Sequence, residues 1–82
     1  LEILLLNNNP IKELPKFIQN LTKLRELNLK KTKLSSFPLW VFDLPNLQKL
    51  GLPDGKEFDE WFLSNIDLFE KLKKQKPDLS IY

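Results

Sequence analysis

The sequence predicts an α/β fold, a solenoid of stacked coils with a short parallel sheet on one side and a helix plus a strand closing its C-terminal end. Three observations predict it. The apolar pattern Leu1, Leu4, Leu6, Asn9, Ile11, Leu14, Pro15, Ile18, Leu21 returns 23 positions later as Leu24, Leu27, Leu29, Thr32, Leu34, Phe37, Pro38, Val41, Leu44, and begins again as Leu47, Leu50, Leu52. A fixed interval of this size marks supersecondary units that stack because none buries its apolar face alone. Within each unit the apolar spacing passes from strand-like steps of two to a helical step of three. After residue 56 the repeat gives way to one longer helical pattern and a short alternating segment.

In the first unit, residues 1–23, Ile3–Leu6 reads as a strand with Leu4 and Leu6 facing one way and Ile3, Leu5 and Asn7 the other. Asn7-Asn8-Asn9-Pro10 ends it, since asparagine side chains bond to nearby backbone and proline cannot donate to a ladder. Asn9 is expected to turn inward and satisfy backbone groups of the turn, a structural role rather than a ligand role. Leu14-Pro15 starts the return segment, with Ile18 and Leu21 inward and Lys16, Gln19 and Asn20 in solvent.

The second unit, residues 24–46, places Thr32 at the asparagine position, which predicts a looser turn. Phe37-Pro38 replaces Leu14-Pro15, and Trp40 and Phe42 add aromatic surface that the following segment is expected to cover. The third unit is partial, residues 47–55. Pro53-Asp54-Gly55 is a turn signal, with Gly55 at the asparagine position.

Residues 56–82 read as a C-terminal cap. Phe58, Trp61, Phe62, Ile66, Phe69 and Leu72 fall on one broad helical face. Ser64-Asn65-Ile66-Asp67 resembles a capping box at which the helix restarts. Lys71, Lys73, Lys74 and Lys76 crowd the end, where cations suit the helix dipole, and Pro77 stops it. Asp78–Tyr82 alternates as a strand, expected to join the sheet with Leu79 and Ile81 beside Leu50 and Leu52. Nothing polar precedes Leu1, so the 82 residues are expected to be the end of a longer array, or to self-associate through the Leu1 edge.

Composition narrows the function. Eighty-two residues with 41% hydrophobic and 29% charged content suit one small globular domain. A net charge of +2 is too small to indicate nucleic acid or a membrane surface. Histidine and cysteine are absent, which removes the commonest acid–base group and metal ligand, disulfides and thiolate sites. That composition fits a cytoplasmic setting and leaves an extracellular one open. Glu57, Asp59 and Glu60 suit a helix start, Ser35-Ser36 lacks a group to orient a base, and two glycines make no phosphate loop. Asn20-Leu21-Thr22 matches the glycosylation acceptor pattern without a second sign of secretion. The expectation is therefore a non-enzyme with no cofactor, no metal, and no nucleic-acid or membrane partner.

The Leu-x-x-Leu-x-Leu-x-x-Asn-x-Ile of residues 1–11 and the Leu-x-x-Leu-x-Leu-x-x-Thr-x-Leu of residues 24–34 resemble the leucine-rich repeat. Leu14-Pro15-x-x-Ile18-x-x-Leu21 and Phe37-Pro38-x-x-Val41-x-x-Leu44 resemble its 23-residue intracellular type, found in Ras-pathway scaffolds and many bacterial proteins. The resemblance covers roughly residues 1–52. It implies a curved solenoid whose sheet lines the concave side, and a protein partner gripped by outward residues of the strands.

If the leucines face inward, the concave residues form columns across neighbouring strands. One column is expected to run Ile3, Glu26, Lys49, Asp78, the next Leu5, Asn28, Gly51, Ser80, and the third Asn7, Lys30, Pro53, Tyr82. The first alternates in charge, so Glu26, Lys49 and Asp78 are expected to neutralise one another. Lys30, Lys31 and Lys33 have no acidic neighbours in these columns and suit an acidic partner. The candidate partner-binding residues are therefore Asn7, Glu26, Asn28, Lys30, Lys31, Lys33, Lys49 and Tyr82. Two readings follow: a protein–protein interaction module using its concave face, or a structural C-terminal cap of a larger scaffold or signalling enzyme.

Overall fold

The computed structural model describes all of Leu1–Tyr82. Four short strands, β1 (Ile3–Leu5), β2 (Glu26–Asn28), β3 (Lys49–Gly51) and β4 (Ser80–Ile81), form one parallel sheet in chain order. Parallel neighbours need a crossover, and each coil supplies one on the far side of the core. In the first two coils it is a short 3₁₀ helix, Lys16–Asn20 and Leu39–Asp43. Pro15 and Pro38 open these helices with φ of −60° and −64°, the value the proline ring imposes. Their carbonyls accept from Ile18 and Val41, 3.2 Å each.

Paired positions lie 23 residues apart from β1 to β2 (Ile3 with Glu26) and from β2 to β3 (Glu26 with Lys49). The inward positions of the repeat make the core. Ile18, Leu24, Leu27, Leu29, Val41 and Leu50 are fully enclosed within a single cluster of 16 buried apolar residues. Burying each such side chain favours folding by about 1.5–3 kcal/mol before entropy is counted. Backbone bonding repeats at the same interval. Glu2 O accepts from the amides of Arg25 and Glu26, and Arg25 O accepts from those of Gln48 and Lys49.

The loops after β1 and β2 also match. Asn8 and Lys31, at equivalent positions, both adopt left-handed φ, 63° and 57°. Asn9 departs from the inward, two-way role expected of it. It is exposed and only donates, to Leu6 O and Asn7 O at 3.2 Å each. Thr32 is the buried one, its hydroxyl donating to Leu29 O at 2.8 Å.

The third coil departs from the repeat. Its far side is a helix pair, α1 (Lys56–Ser64) and α2 (Ile66–Gln75), broken at Asn65. The restart falls where the sequence places it, but without a capping box. Ser64 Oγ donates back to Glu60 O and Asn65 Nδ2 to Trp61 O, so both side chains finish α1 rather than begin α2. The pair stacks on the aromatic edge of the second coil. Phe37 meets Trp61 at 5.1 Å and Phe58 at 5.9 Å between ring centroids, and Phe42 meets Phe69 at 5.2 Å edge to face. Phe42 is thereby buried and Trp40 half-buried. Lys76, expected to sit in a solvated helix end, folds back so that its ammonium donates to Phe42 O.

The last strand differs from expectation in register. Ser80 pairs with Lys49 and Ile81 with Leu50, so Ile81 rather than Leu79 lies beside Leu50. The shift is two residues. It leaves the facing of every side chain unchanged, because the strand period is two, and alternation alone cannot detect it. The bonds agree: Leu6, Leu29 and Leu52 amides donate to Asn28, Gly51 and Tyr82 carbonyls at 3.0, 2.9 and 2.8 Å. Asp78 therefore lies before the strand, outside the ladder.

Candidate interaction face

The alternation that buries Leu4, Leu27 and Leu50 turns the residues between them onto the open side of the sheet. With the corrected register, one column there reads Ile3, Glu26, Lys49, Ser80 and the next Leu5, Asn28, Gly51, Tyr82. Neighbouring members are about 4.8 Å apart. Tyr82 belongs beside Gly51 rather than beside Pro53, and that relocation makes the centre of the face.

The Tyr82 side chain leans from β4 across β3 to β2. Its hydroxyl donates to Glu26 Oε2 at 3.2 Å, and Lys30 Nζ lies 5.1 Å from the centre of its ring. Gly51 makes the crossing possible. A Cβ there would stand 3.1 Å from Tyr82 Cε2 and Cζ and 2.6 Å from Asn28 Oδ1. Asn28 Oδ1 is itself fixed, accepting from the Lys30 amide at 3.0 Å. Partial burial against the sheet, then the Glu26 charge and the hydrogen bond to it, hold the Tyr82 hydroxyl above the usual tyrosine range. A neutral phenol is what donation to a carboxylate requires.

The expected neutralisation of Glu26 by Lys49 and Asp78 is absent. The chain's one salt bridge is Arg25 Nη1 to Glu2 Oε1 at 3.4 Å, and Glu26 takes the tyrosine hydroxyl instead. Arg25 also reaches Gln48 Oε1 through Nη2 at 3.4 Å. Glu2, Arg25 and Gln48 thus form a ladder over three coils at the 23-residue interval. Sequence reasoning passed over this row, although the period that aligns the leucines aligns these three as well. Together with Ile3, Glu26 and Lys49 they line a groove of about 280 Å³ at the entry end of the sheet.

The other candidate residues divide between two places. Glu26, Asn28, Lys30, Lys49 and Tyr82 share the open face, and Asn7 stands half-buried just past β1. Lys31 and Lys33 do not join them. They border a separate depression beside the start of α1, with Asp54, Gly55 and Lys56. Lys31 is turned there by its left-handed backbone, and Asp54 Oδ1 accepts from its amide at 3.2 Å. At the β1 end of the face Ile3 and Leu5 are 54% and 56% exposed, a shelf of aliphatic surface.

No cluster of three or more acidic side chains has metal-holding geometry, and no helix is long and apolar enough to cross a membrane. Against known proteins, a family model described as leucine rich repeat matches residues 1–54, more than half of the chain, ending just before α1. No curated protein matches the chain.

Proposed function

The chain belongs to the leucine-rich repeat family, and from that premise we propose that it binds a partner protein through the open, concave face of its sheet. Leucine-rich repeats are in general protein–protein interaction modules. The observation that carries the assignment to this face is the combination of exposed Ile3 and Leu5 with polar groups held in fixed positions beside them. Apolar anchors bordered by positioned polar side chains are what protein interfaces use at their centre and rim. Tyr82 is held by Glu26 and Lys30 before any partner arrives, which lowers the entropy lost on binding. In this reading the chain recognises and performs no chemistry of its own. Residues 56–82 cap the stack, a role supported by the seating of Phe58, Trp61 and Phe69 on Phe37 and Phe42.

Two aliphatic or aromatic positions of equal exposure on opposite faces give the test. Leu5 and Phe17 are each 56% exposed, one on the sheet and one on the 3₁₀ side. Partners selected from a displayed library of protein fragments are measured against Leu5→Glu and Phe17→Glu. Binding is expected to fall with Leu5→Glu and to persist with Phe17→Glu. The reverse pattern overturns the assignment.

A further inference from the structure

We propose that the groove at the entry end of the sheet receives a carboxylate of an extended acidic peptide segment of the partner, with Lys49 as its counter-ion. This rests on the open-face reading and specifies its ligand. By formal charge the groove is neutral, with Glu2 and Glu26 against Arg25 and Lys49. The balance of engaged groups is not even. Glu2 is held by Arg25 and Glu26 by the Tyr82 hydroxyl. Lys49 has no carboxylate within 4.0 Å although Glu26 is its partner in register. Arg25 carries five N–H donors, and two of them are engaged by Glu2 and Gln48. Gln48 accepts through its amide oxygen, which leaves its two N–H donors unused. What the groove lacks is an acceptor bearing negative charge.

Ile3 lines the same groove, and Leu5 follows it on β1. A free anion would use the donors and leave this shelf in water; a polypeptide uses both. From Lys49 on β3 to Ile3 on β1 is two strand spacings, about 10 Å. An extended chain covers that in about three residues. The ligand is therefore a segment with Asp or Glu about three residues from Leu, Ile or Val, laid across the strands.

The experiment is a selection of random 12-residue displayed peptides on the 82-residue chain. Enriched peptides are then titrated by fluorescence polarisation against the parent chain, Lys49→Gln and Leu5→Ser. Enriched sequences are expected to share the acidic and aliphatic pair. Changing the peptide Glu to Gln is expected to weaken binding by about two- to fivefold, the range of an exposed ion pair. In Lys49→Gln that same peptide change has no further effect. Loss of affinity in Leu5→Ser with none in Lys49→Gln, or enrichment without acidic residues, overturns the carboxylate site and leaves the open-face reading standing. Binding indifferent to both substitutions overturns that reading as well. Failure to enrich any peptide also overturns the proposal.

Discussion

Replacing Gly51 with alanine creates a collision on the open face that only Tyr82 and Asn28 can relieve. The added Cβ meets Asn28 Oδ1 at 2.6 Å and the Tyr82 ring at 3.1 Å, and the first distance is closer than real contacts allow. If Asn28 turns away, its bond from the Lys30 amide is lost, at about 0.5–1.5 kcal/mol. If Tyr82 lifts, the Lys30 contact with its ring goes, at about 0.5–1 kcal/mol for an exposed pair. Alanine returns about 0.4–1 kcal/mol by restricting the unfolded chain. The net expectation is a loss of about 1–2 kcal/mol, or about 5–10 °C in Tm for a domain of this size. Calorimetry on Gly51→Ala, Tyr82→Ala and the double variant measures it. In the Tyr82→Ala background the ring is absent, so Gly51→Ala is expected to cost less, with a coupling of about 0.5–1 kcal/mol. A Gly51→Ala chain at least as stable as the parent, or strict additivity, refutes the packing described.

Thr32→Val keeps the shape but leaves Leu29 O without its donor in a buried turn; a loss of about 1–3 kcal/mol is expected in urea denaturation. Phe69 lies within 4.5–6.4 Å of the rings of Phe62, Phe42, Trp61 and Phe37. Phe69→Ala is expected to destabilise by about 3–5 kcal/mol, read from the midpoint of Trp fluorescence unfolding. Because folding raises the Tyr82 hydroxyl above its usual value of 10.0, the folded state holds that proton more tightly than the unfolded one. Its contribution is complete below the unfolded value and is lost as pH rises through the folded one. Urea midpoints at alkaline pH are therefore expected to fall more steeply for the parent than for Tyr82→Phe, the lysines being common to both; parallel curves refute this.

How far these features can be read from the sequence follows from what each depends on. The stacking of coils depends on apolar residues at a fixed interval, and Leu24, Leu27, Leu29, Val41 and Leu50 occupy the core that interval assigns them. The register of β4 depends on the length of the inserted helix pair. Lys49 and Ser80 are 31 residues apart where earlier paired positions are 23 apart, and no repeat exists to count through the insertion. A slip of two residues keeps Leu79 buried and Tyr82 outward, so the hydrophobic pattern is equally content with either register. The side chains of Ser64 and Asn65 fit a capping box by spacing alone, yet they bond backward to carbonyls of α1. Spacing names the possible partners; the direction in which the chain turns chooses among them.

That difference decides what the open face can recognise. With Tyr82 beside Pro53, Gly51 would be a gap and Glu26 would have only Lys49 to answer it. With Tyr82 beside Gly51, the glycine becomes the floor under an aromatic ring, and the ring's hydroxyl takes Glu26. Lys49 then stands opposite a carboxylate already engaged elsewhere. Since Arg25 has matched Glu2 in the neighbouring row, the charge left wanting in the groove is negative. A two-residue shift in one short strand thus changes the ligand preference from indifferent to acidic without moving any residue from one face of the sheet to the other. The preference is carried by which carboxylates are already occupied, a property that net charge, +2 for the whole chain, does not express.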